Sequence, residues 1–590
     1  MTILFPFGDG AKSLPDVEQI LTLCTRQLDS ADQPTRNALA KLAAHVLSST
    51  QTEYAVPLPE PPKQNKKGPG LNLDQDNEST PPVQEMKRLL TPQEMLSQLS
   101  THFNKLNVSR RTRVGIFDCY VALLNALGSK FVESNYALIV NHFMTEIISA
   151  PRSTGSRYDI LFVRSLVDTV VRDLIGVRML GEQAQIAAIQ EISSAYLKRW
   201  PAMMPGQTAP NSHVLVVALR EVAGLLQQLG NAPTPVQDAL MDPMMTLLTH
   251  PVHTVRVSAA WTLRCFCYST PLRLPKVLLN LVELLQNDLT ALATPAAPSD
   301  INSRVIGRAY GLAGLLSVIP KRPLYVSYDI SANVFYIAVQ LLKRAGEHDV
   351  KAAKVEIEVA WTLIASLMPL GPNFVRAHLP QLLVLWRNAL PKPTTKDGMS
   401  GRSAAEWTFL LSVREYALRA VCSFLSHNSP SLLTADVARR VTSLLTNALQ
   451  FANTFSSQRV VEDVVDGVTQ ENRGLSMASV EALFRSRIYQ AFMALGVSKV
   501  SETTQTSLLQ SAISLFASPE GYTGSSVQAA IAASSGTFTN VWQSTDCYAY
   551  GVTDIEVNED LPTDSAEGLG DWLNRDTISA SIDDMVGVLV

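Results

Sequence analysis

A tetrapeptide that returns at a fixed distance constrains this chain more than any other feature. Ala260-Trp261-Thr262-Leu263 recurs as Ala360-Trp361-Thr362-Leu363, 100 residues later. The residues before it match in pattern: Val255, Val257 and Ala259 against Val355, Ile357 and Val359. Each copy runs into a Pro-bearing loop and then a second apolar segment, which the pattern opens at Leu274-Pro275 in one copy and Leu379-Pro380 in the other. Proline suits a first helical turn, whose N–H groups lack intrahelical partners anyway. A weaker echo joins Leu127-Gly128-Ser129-Lys130-Phe131-Val132 to Leu370-Gly371-Pro372-Asn373-Phe374-Val375, with Gly where a helix end favours a left-handed residue. The repeating unit is therefore a helix, a short turn and a second helix. One such pair cannot bury its apolar face alone, so neighbours must stack and share a continuous core.

The 590 residues exceed what one compact core holds, which fits either several domains or an elongated array. Hydrophobic residues at 46% and charged residues at 17% can fill a large core and argue against general disorder. The predicted fold is all-α, an α-solenoid of stacked antiparallel helix pairs. An N-terminal pair is expected over 1–50: Val17, Ile20, Leu21, Cys24 and Leu28 share one helical face, and Leu39, Leu42, Ala43 and Val46 another after the break at Pro34. A Pro-, Gly- and Asn-rich linker or long loop, expected to be disordered, spans 51–90. The solenoid is expected over 91–518, interrupted near Pro151, Pro205-Gly206, Pro295 to Pro298 and Pro391 to Gly401. Residues 519–590 are Ser/Gly-rich and then acidic, and are expected to be partly disordered.

The formal net charge of −4 gives no sign of a phosphate-binding surface, which argues against nucleic acid as a partner. The charge is uneven. Residues 546–590 hold eleven acids against Arg575 alone, leaving the rest of the chain about six positive. That acidic end reads as a solvated tail. Cys24, Cys119, Cys265, Cys267, Cys422 and Cys547 are too scattered for a disulfide framework and fit a reducing compartment. The opening MTILFPFGDG lacks the charge and apolar run of a secretory signal, and no apolar run approaches the ~18 residues that cross a bilayer. A cytoplasmic protein is expected, and the sequons at Asn77 and Asn107 read as accidental.

No residue is assigned a catalytic, cofactor-binding or metal-binding role. Gly8-Asp9-Gly10-Ala11-Lys12-Ser13 lacks the Gly before Lys that a phosphate loop needs, and reads as a turn. His250, His253, Cys265 and Cys267 offer zinc ligands by type, but Cys265 and Cys267 project about 200° apart on a helix, so packing is the better reading. No Gly-x-Ser-x-Gly or His-Glu-x-x-His occurs, and Glu356 and Glu358 diverge on a helix and read as solvated charge. Trp261, Trp361, Trp386 and Trp407, spaced among Leu and Ala, read as core rather than partner hot spots. Arg256, Arg376 and Arg387 are expected to stabilise turns between repeats. The stretch from Glu567 to Leu573 sets Trp572 in an acidic context, as adaptor-binding peptides do, without matching a defined pattern.

His250-Pro251-Val252-His253-Thr254-Val255-Arg256-Val257-Ser258-Ala259-Ala260-Trp261 resembles the first helix of a HEAT repeat: Pro near the start, then Val-Arg, then small residues and a large apolar one. Residues 360–391, AWTLIASLMPLGPNFVRAHLPQLLVLWRNALP, together with AWTLRCFCYSTPLRLPKVLLNLVELL, resemble the HEAT repeat-containing protein 5 family, which includes the fungal large accessory protein of clathrin adaptor complex 1. The likeness is clearest over residues 240–450. It implies a HEAT-type solenoid acting as a non-catalytic scaffold in clathrin-adaptor-dependent traffic between trans-Golgi network and endosomes. The implied partners are clathrin adaptor complex 1 and its accessory proteins, with peripheral membrane association through them. No cofactor and no small-molecule substrate are implied. Family members are much longer, so the chain is expected to be an N-terminal fragment or truncated member. An importin-type nuclear transport receptor is the alternative within the same architecture.

Overall fold

The computed structural model describes residues 14–52, 54–57, 84–151, 153, 157–294, 297–393, 402–455, 477–496 and 500–517. The chain forms two compact units, one of residues 1–153 with Arg178–Leu180, the other of Thr154–Val177 and residues 181–590. The dividing point falls inside the stretch 91–518 that the sequence reading treated as one array.

The first unit begins with α1 (Leu14–Gln27) and α2 (Gln33–Ser49). Asp32 accepts the Thr35 amide at 3.0 Å and Pro34 lies in the first turn, so the expected break is also a helix start. Then come α3 (Pro92–Phe103), opened by a Thr91/Glu94 capping box, α4 (Arg110–Leu127), α5 (Ser129–Ser134), and α6 (Tyr136–His142), which runs into a π-helical turn, Phe143–Ile148. On α2 the buried residues are Arg36, Ala40, Ala43, Ala44, Val46 and Leu47, and this face packs along α4. Leu42, expected on the core face, is 47% exposed. Small alanines let the two helices approach closely, and Leu42 points away from that contact. The linker reading also needs correction at its ends. β1 (Tyr54–Pro57) and β2 (Gln84–Lys87) form an antiparallel pair in the register Tyr54↔Lys87 to Pro57↔Gln84, and residues 58–83 between them lie outside the described residues.

The second unit opens with α7 (Arg157–Asp168), the π-helical stretch Thr169–Met179 as far as Val177, and α8 (Glu182–Ala195). Six antiparallel pairs follow among the described residues: α9 (Ser212–Leu229) with α10 (Thr234–Leu247), α11 (His253–Ser269) with α12 (Leu274–Leu292), and α13 (Ile301–Leu316) with α14 (Tyr328–Arg344). The remaining three are α15 (Val350–Leu367) with α16 (Pro372–Ala389), α17 (Ala404–Leu432) with α18 (Ala435–Thr454), and α19 (Met477–Leu495) with α20 (Glu502–Ala517). The first helix of each pair packs on the first helix of the next, from α9 through to α19. Each second helix packs against the first helix of the following pair. This is an all-α, HEAT-type α-solenoid arrangement, and the 100-residue interval is two pairs, α11 to α15.

Stacking on both sides explains why the first helices are buried almost all round. Every residue of α11 from His253 to Cys267 is buried, and Trp261, Trp361, Trp386 and Trp407 all lie in the core, as expected. Gly128 and Gly371 adopt φ of +80° and +90°, a region L-residues avoid, and the helices α5 and α16 start immediately after them. The Leu-Pro opening holds for α12, which begins at Leu274 with Pro275 in its first turn. It fails for α16, which begins at Pro372 and carries Pro380 in its interior. Pro380 is exposed, so the carbonyl it leaves without an intrahelical donor can turn to water.

Candidate functional site

Polar groups able to do chemistry mostly lie between stacked first helices. Thr262, from one copy of the repeated tetrapeptide, donates to Leu219 O on α9 at 2.9 Å, and Thr362, from the other, accepts from Arg419 on α17 at 2.8 Å. Arg256 is fully buried and donates to the carbonyls of His250 and Pro251, fastening the turn before its own helix as expected. Arg376 and Arg387 do not follow: both are exposed on α16, eleven residues apart and hence on one helical stripe, away from the buried Val375, Leu382 and Trp386.

Glu356 and Glu358 overturn the reading of solvated charge. Glu356 is 0% exposed and pairs with Arg344 at 3.0 Å and His348 at 2.8 Å. Glu358 accepts from Tyr310 on α13 at 2.8 Å and Tyr416 on α17 at 2.9 Å, so one carboxylate joins three successive first helices. The two side chains do diverge, but toward partners on neighbouring helices and the preceding turn rather than toward water. Buried carboxylates persist only when paired in this way. Arg487 and Glu415 repeat the device between α19 and α17 at 3.3 Å.

One constellation has the order of a catalytic relay. In the first unit Tyr120 Oη lies 2.8 Å from His142 Nε2, and His142 Nδ1 lies 3.4 Å from Glu146, which also accepts from Ser97 and Ser100. Nucleophilic catalysis uses such a sequence of hydroxyl, imidazole and carboxylate, but it needs a route for substrate. Tyr120 and His142 are both 0% exposed. Burial pushes the phenol well above its usual pKa and pulls the imidazole down. The trio ties α3, α4 and α6 together. His250, His253, Cys265 and Cys267 are likewise buried, with the Cys265 thiol pushed up to about 11 by burial, and no cluster able to hold a metal occurs among the described residues. Gly8 to Ser13 and Glu567 to Leu573 lie outside the described residues.

Burial also holds His102, His213 and His250 near a pKa of 4, against 6.5 for a free imidazole. His102 accepts at Nδ1 from Lys105 at 2.9 Å, and His250 Nδ1 accepts the Val252 amide at 3.0 Å, so the neutral ring is the one the fold uses. The native pKa values are depressed, and the unfolded chain binds more protons between pH 6.5 and 4. Stability is therefore complete above pH 6.5 and falls as pH drops, by at most about 2 kcal/mol per histidine at pH 5. Urea denaturation at pH 7.5 and pH 5 should show this loss. An unchanged midpoint would contradict neutral burial.

The exposed surface gathers differently. The turns between first and second helices bring together residues 268–276, 317–329 and 366–376 of three consecutive pairs. The Arg322 guanidinium stacks 4.5 Å over the Tyr268 ring and donates to Tyr268 O at 3.3 Å, across the α11/α12 and α13/α14 turns. Tyr328 meets Phe374 at 5.4 Å, joining the α13/α14 and α15/α16 turns. These three segments contain Arg273, Lys276, Lys321, Arg322 and Arg376 and a single acid, Asp329, and Arg273 also reaches Asp238 on α10 at 3.6 Å. Leu272 is 84% and Leu324 95% exposed, and Tyr268, Tyr325 and Tyr328 are exposed beside them. The result is a cationic ridge set with apolar side chains. Sequence reasoning did not find it, because its members lie about 50 residues apart and only stacking makes them neighbours. An acid-free run through each Pro-bearing turn was the available signal.

No family model matches the chain. Protein SWEETIE of Arabidopsis thaliana is 26% identical over 264 residues, covering 42% of this chain and 11% of that protein, so the chain spans only a small part of its relative's length. A chain from a solved structure in which Kap95p binding induces the switch loops of RanGDP to adopt the GTP-bound conformation aligns over 99% of this chain and 65% of its own, at 11% identity and a TM-score of 0.31. Among the described residues no helix is long and apolar enough to cross a membrane.

Proposed function

We propose that this chain is a HEAT-type protein-binding scaffold that works by recognition across several helix pairs rather than by chemistry, and that its partners belong to the clathrin-adaptor machinery of the trans-Golgi network and endosomes. The observation that carries the first part is the division of polar groups. Those with catalytic potential are used between helices, while the turns and second helices of consecutive pairs present side chains outward in register. Such repeated display suits an extended partner bound at many points. The second part rests on the likeness of residues 360–391 to the HEAT repeat-containing protein 5 family. Membrane association is then peripheral and indirect, through the adaptor complex.

Affinity purification of the tagged chain from cells, with quantification of co-purifying proteins against a tag-only control, tests this directly. Adaptor and coat subunits should be enriched. Recovery of a small GTPase in its GTP form with no adaptor subunit would favour a nuclear transport receptor instead. Recovery of neither class, by this chain and by a longer version of it, would end the trafficking assignment.

A further inference from the structure

The cationic ridge over residues 268–276, 317–329 and 366–376 has charge and apolar side chains together, and the same chain carries their complement. Residues 546–590 hold eleven carboxylates against one arginine, and Trp572-Leu573 sits amid Glu567, Asp571 and Asp576. We propose that this acidic segment docks on the ridge of its own chain. Its carboxylates face Arg273, Lys276, Lys321 and Arg322, and Trp572-Leu573 covers Leu272, Leu324 and Tyr325, so that a partner must displace the segment to use the surface.

Three observations support this pairing. Lys276 and Arg376 are exposed, and the Arg273–Asp238 pair lies at the surface, so an incoming carboxylate gains attraction without stripping that pair from a buried site. Leu272 and Leu324 stand almost free of the fold beside those cations, and an aromatic anchor within an acidic stretch satisfies both features at once. The chain is also long enough. Successive second helices lie about 8–10 Å apart, so the ridge is within about 50 Å of α20. The 28 residues between Ala517 and Asp546 span up to about 90 Å when extended. Docking within one chain further benefits from high effective concentration, so a modest contact suffices. The inference does not depend on which partner the scaffold carries.

Zero-length carbodiimide coupling of the full chain, which joins lysine amines to carboxylates in contact, is the test, read by mass spectrometry. Lys276 and Lys321 should couple to carboxylates within residues 546–590. The yield should fall several-fold when salt rises from about 0.1 M to about 1 M, which shortens the screening length from about 10 to about 3 Å. It should also fall several-fold in the variant L324S/Y325S, which keeps every amine and carboxylate and alters only exposed side chains. A mixture of isotopically light and heavy chains should give products within single copies. Coupling only to Asp238 or Asp329, equal coupling of the segment to Lys41 and Lys198, yields indifferent to L324S/Y325S, or products mainly between light and heavy copies would each overturn the proposal.

Discussion

Replacing Gly307 with alanine is expected to destabilise the second unit by about 3 kcal/mol or more, at the top of the range for overpacking. A Cβ at Gly307 would stand 1.7 Å from the carbonyl oxygen of Leu248 and 2.7 Å from Arg256 Cδ. The carbonyl belongs to the C-cap residue of α10 and cannot rotate aside as a side chain would. Arg256 is fixed by its bonds to the His250 and Pro251 carbonyls, so the same change pushes on the turn that seats α11. Alanine's better helix propensity, about 1 kcal/mol over glycine, offsets only part of this. Gly311→Ala should cost less, because the nearest atom is Leu248 Cδ1 at 2.6 Å, on a side chain that can shift. Gly346→Ala, with nothing within 4 Å, should stay within about 0.5 kcal/mol of the parent. Denaturant unfolding of the three variants gives the order. Equal stability of Gly307→Ala and Gly346→Ala would show that α10 and α13 are not in this close contact.

Removal of Asp168 should cost about 3–5 kcal/mol, because it strands the buried Arg220 guanidinium. Asp168 on α7 meets Arg220 on α9 at 2.5 Å, and both side chains are buried. Burial draws the Arg220 guanidinium down to about 9, opposed chiefly by Asp168, while Arg172 and Arg164 press it further down. Arg164, Arg172 and Arg220 thus share this region with Asp168, Asp173 and Glu221, and Asp168→Ala removes the carboxylate in direct contact with Arg220. Arg220→Met should be milder, since Arg172 is close enough to Asp168 to be raised by it and can take over the pairing. The double variant D168L/R220M should recover most of the stability, as apolar groups of similar volume replace a buried pair without leaving either charge alone. Unfolding midpoints for the three variants test the asymmetry. If Arg220→Met proved worse than Asp168→Ala, the idea that Arg172 can take over the pairing with Asp168 would be wrong.

These two sites show where local pattern stops being informative. The spacing of Trp261 and Trp361 marked a repeat because helical amphipathicity is a short-range property: a residue's face follows from its neighbours within two turns. The same locality made the α12 opening at Leu274-Pro275 readable, and the turns at Gly128 and Gly371. It misplaced Leu42, since α2 meets α4 through alanines and no local rule says which stripe will be chosen. It placed the start of α16 at Leu379-Pro380 rather than at Pro372, because proline is tolerated inside a helix wherever its exposed neighbour carbonyl can find water.

What the sequence determined by itself was the class of the molecule: helices in pairs, with too much apolar surface for any pair to stand alone. What only the tertiary structure decided was the fate of polar groups. Glu356 and Glu358 are buried because Arg344, Tyr310 and Tyr416 arrive from other helices and His348 from the turn before α15, and Gly307 is required because the end of α10 passes against it. The cationic ridge likewise exists only once turns about 50 residues apart are stacked side by side. Each of these depends on which helix lies next to which, and that is set by the packing of whole pairs, not by the order of residues along one of them.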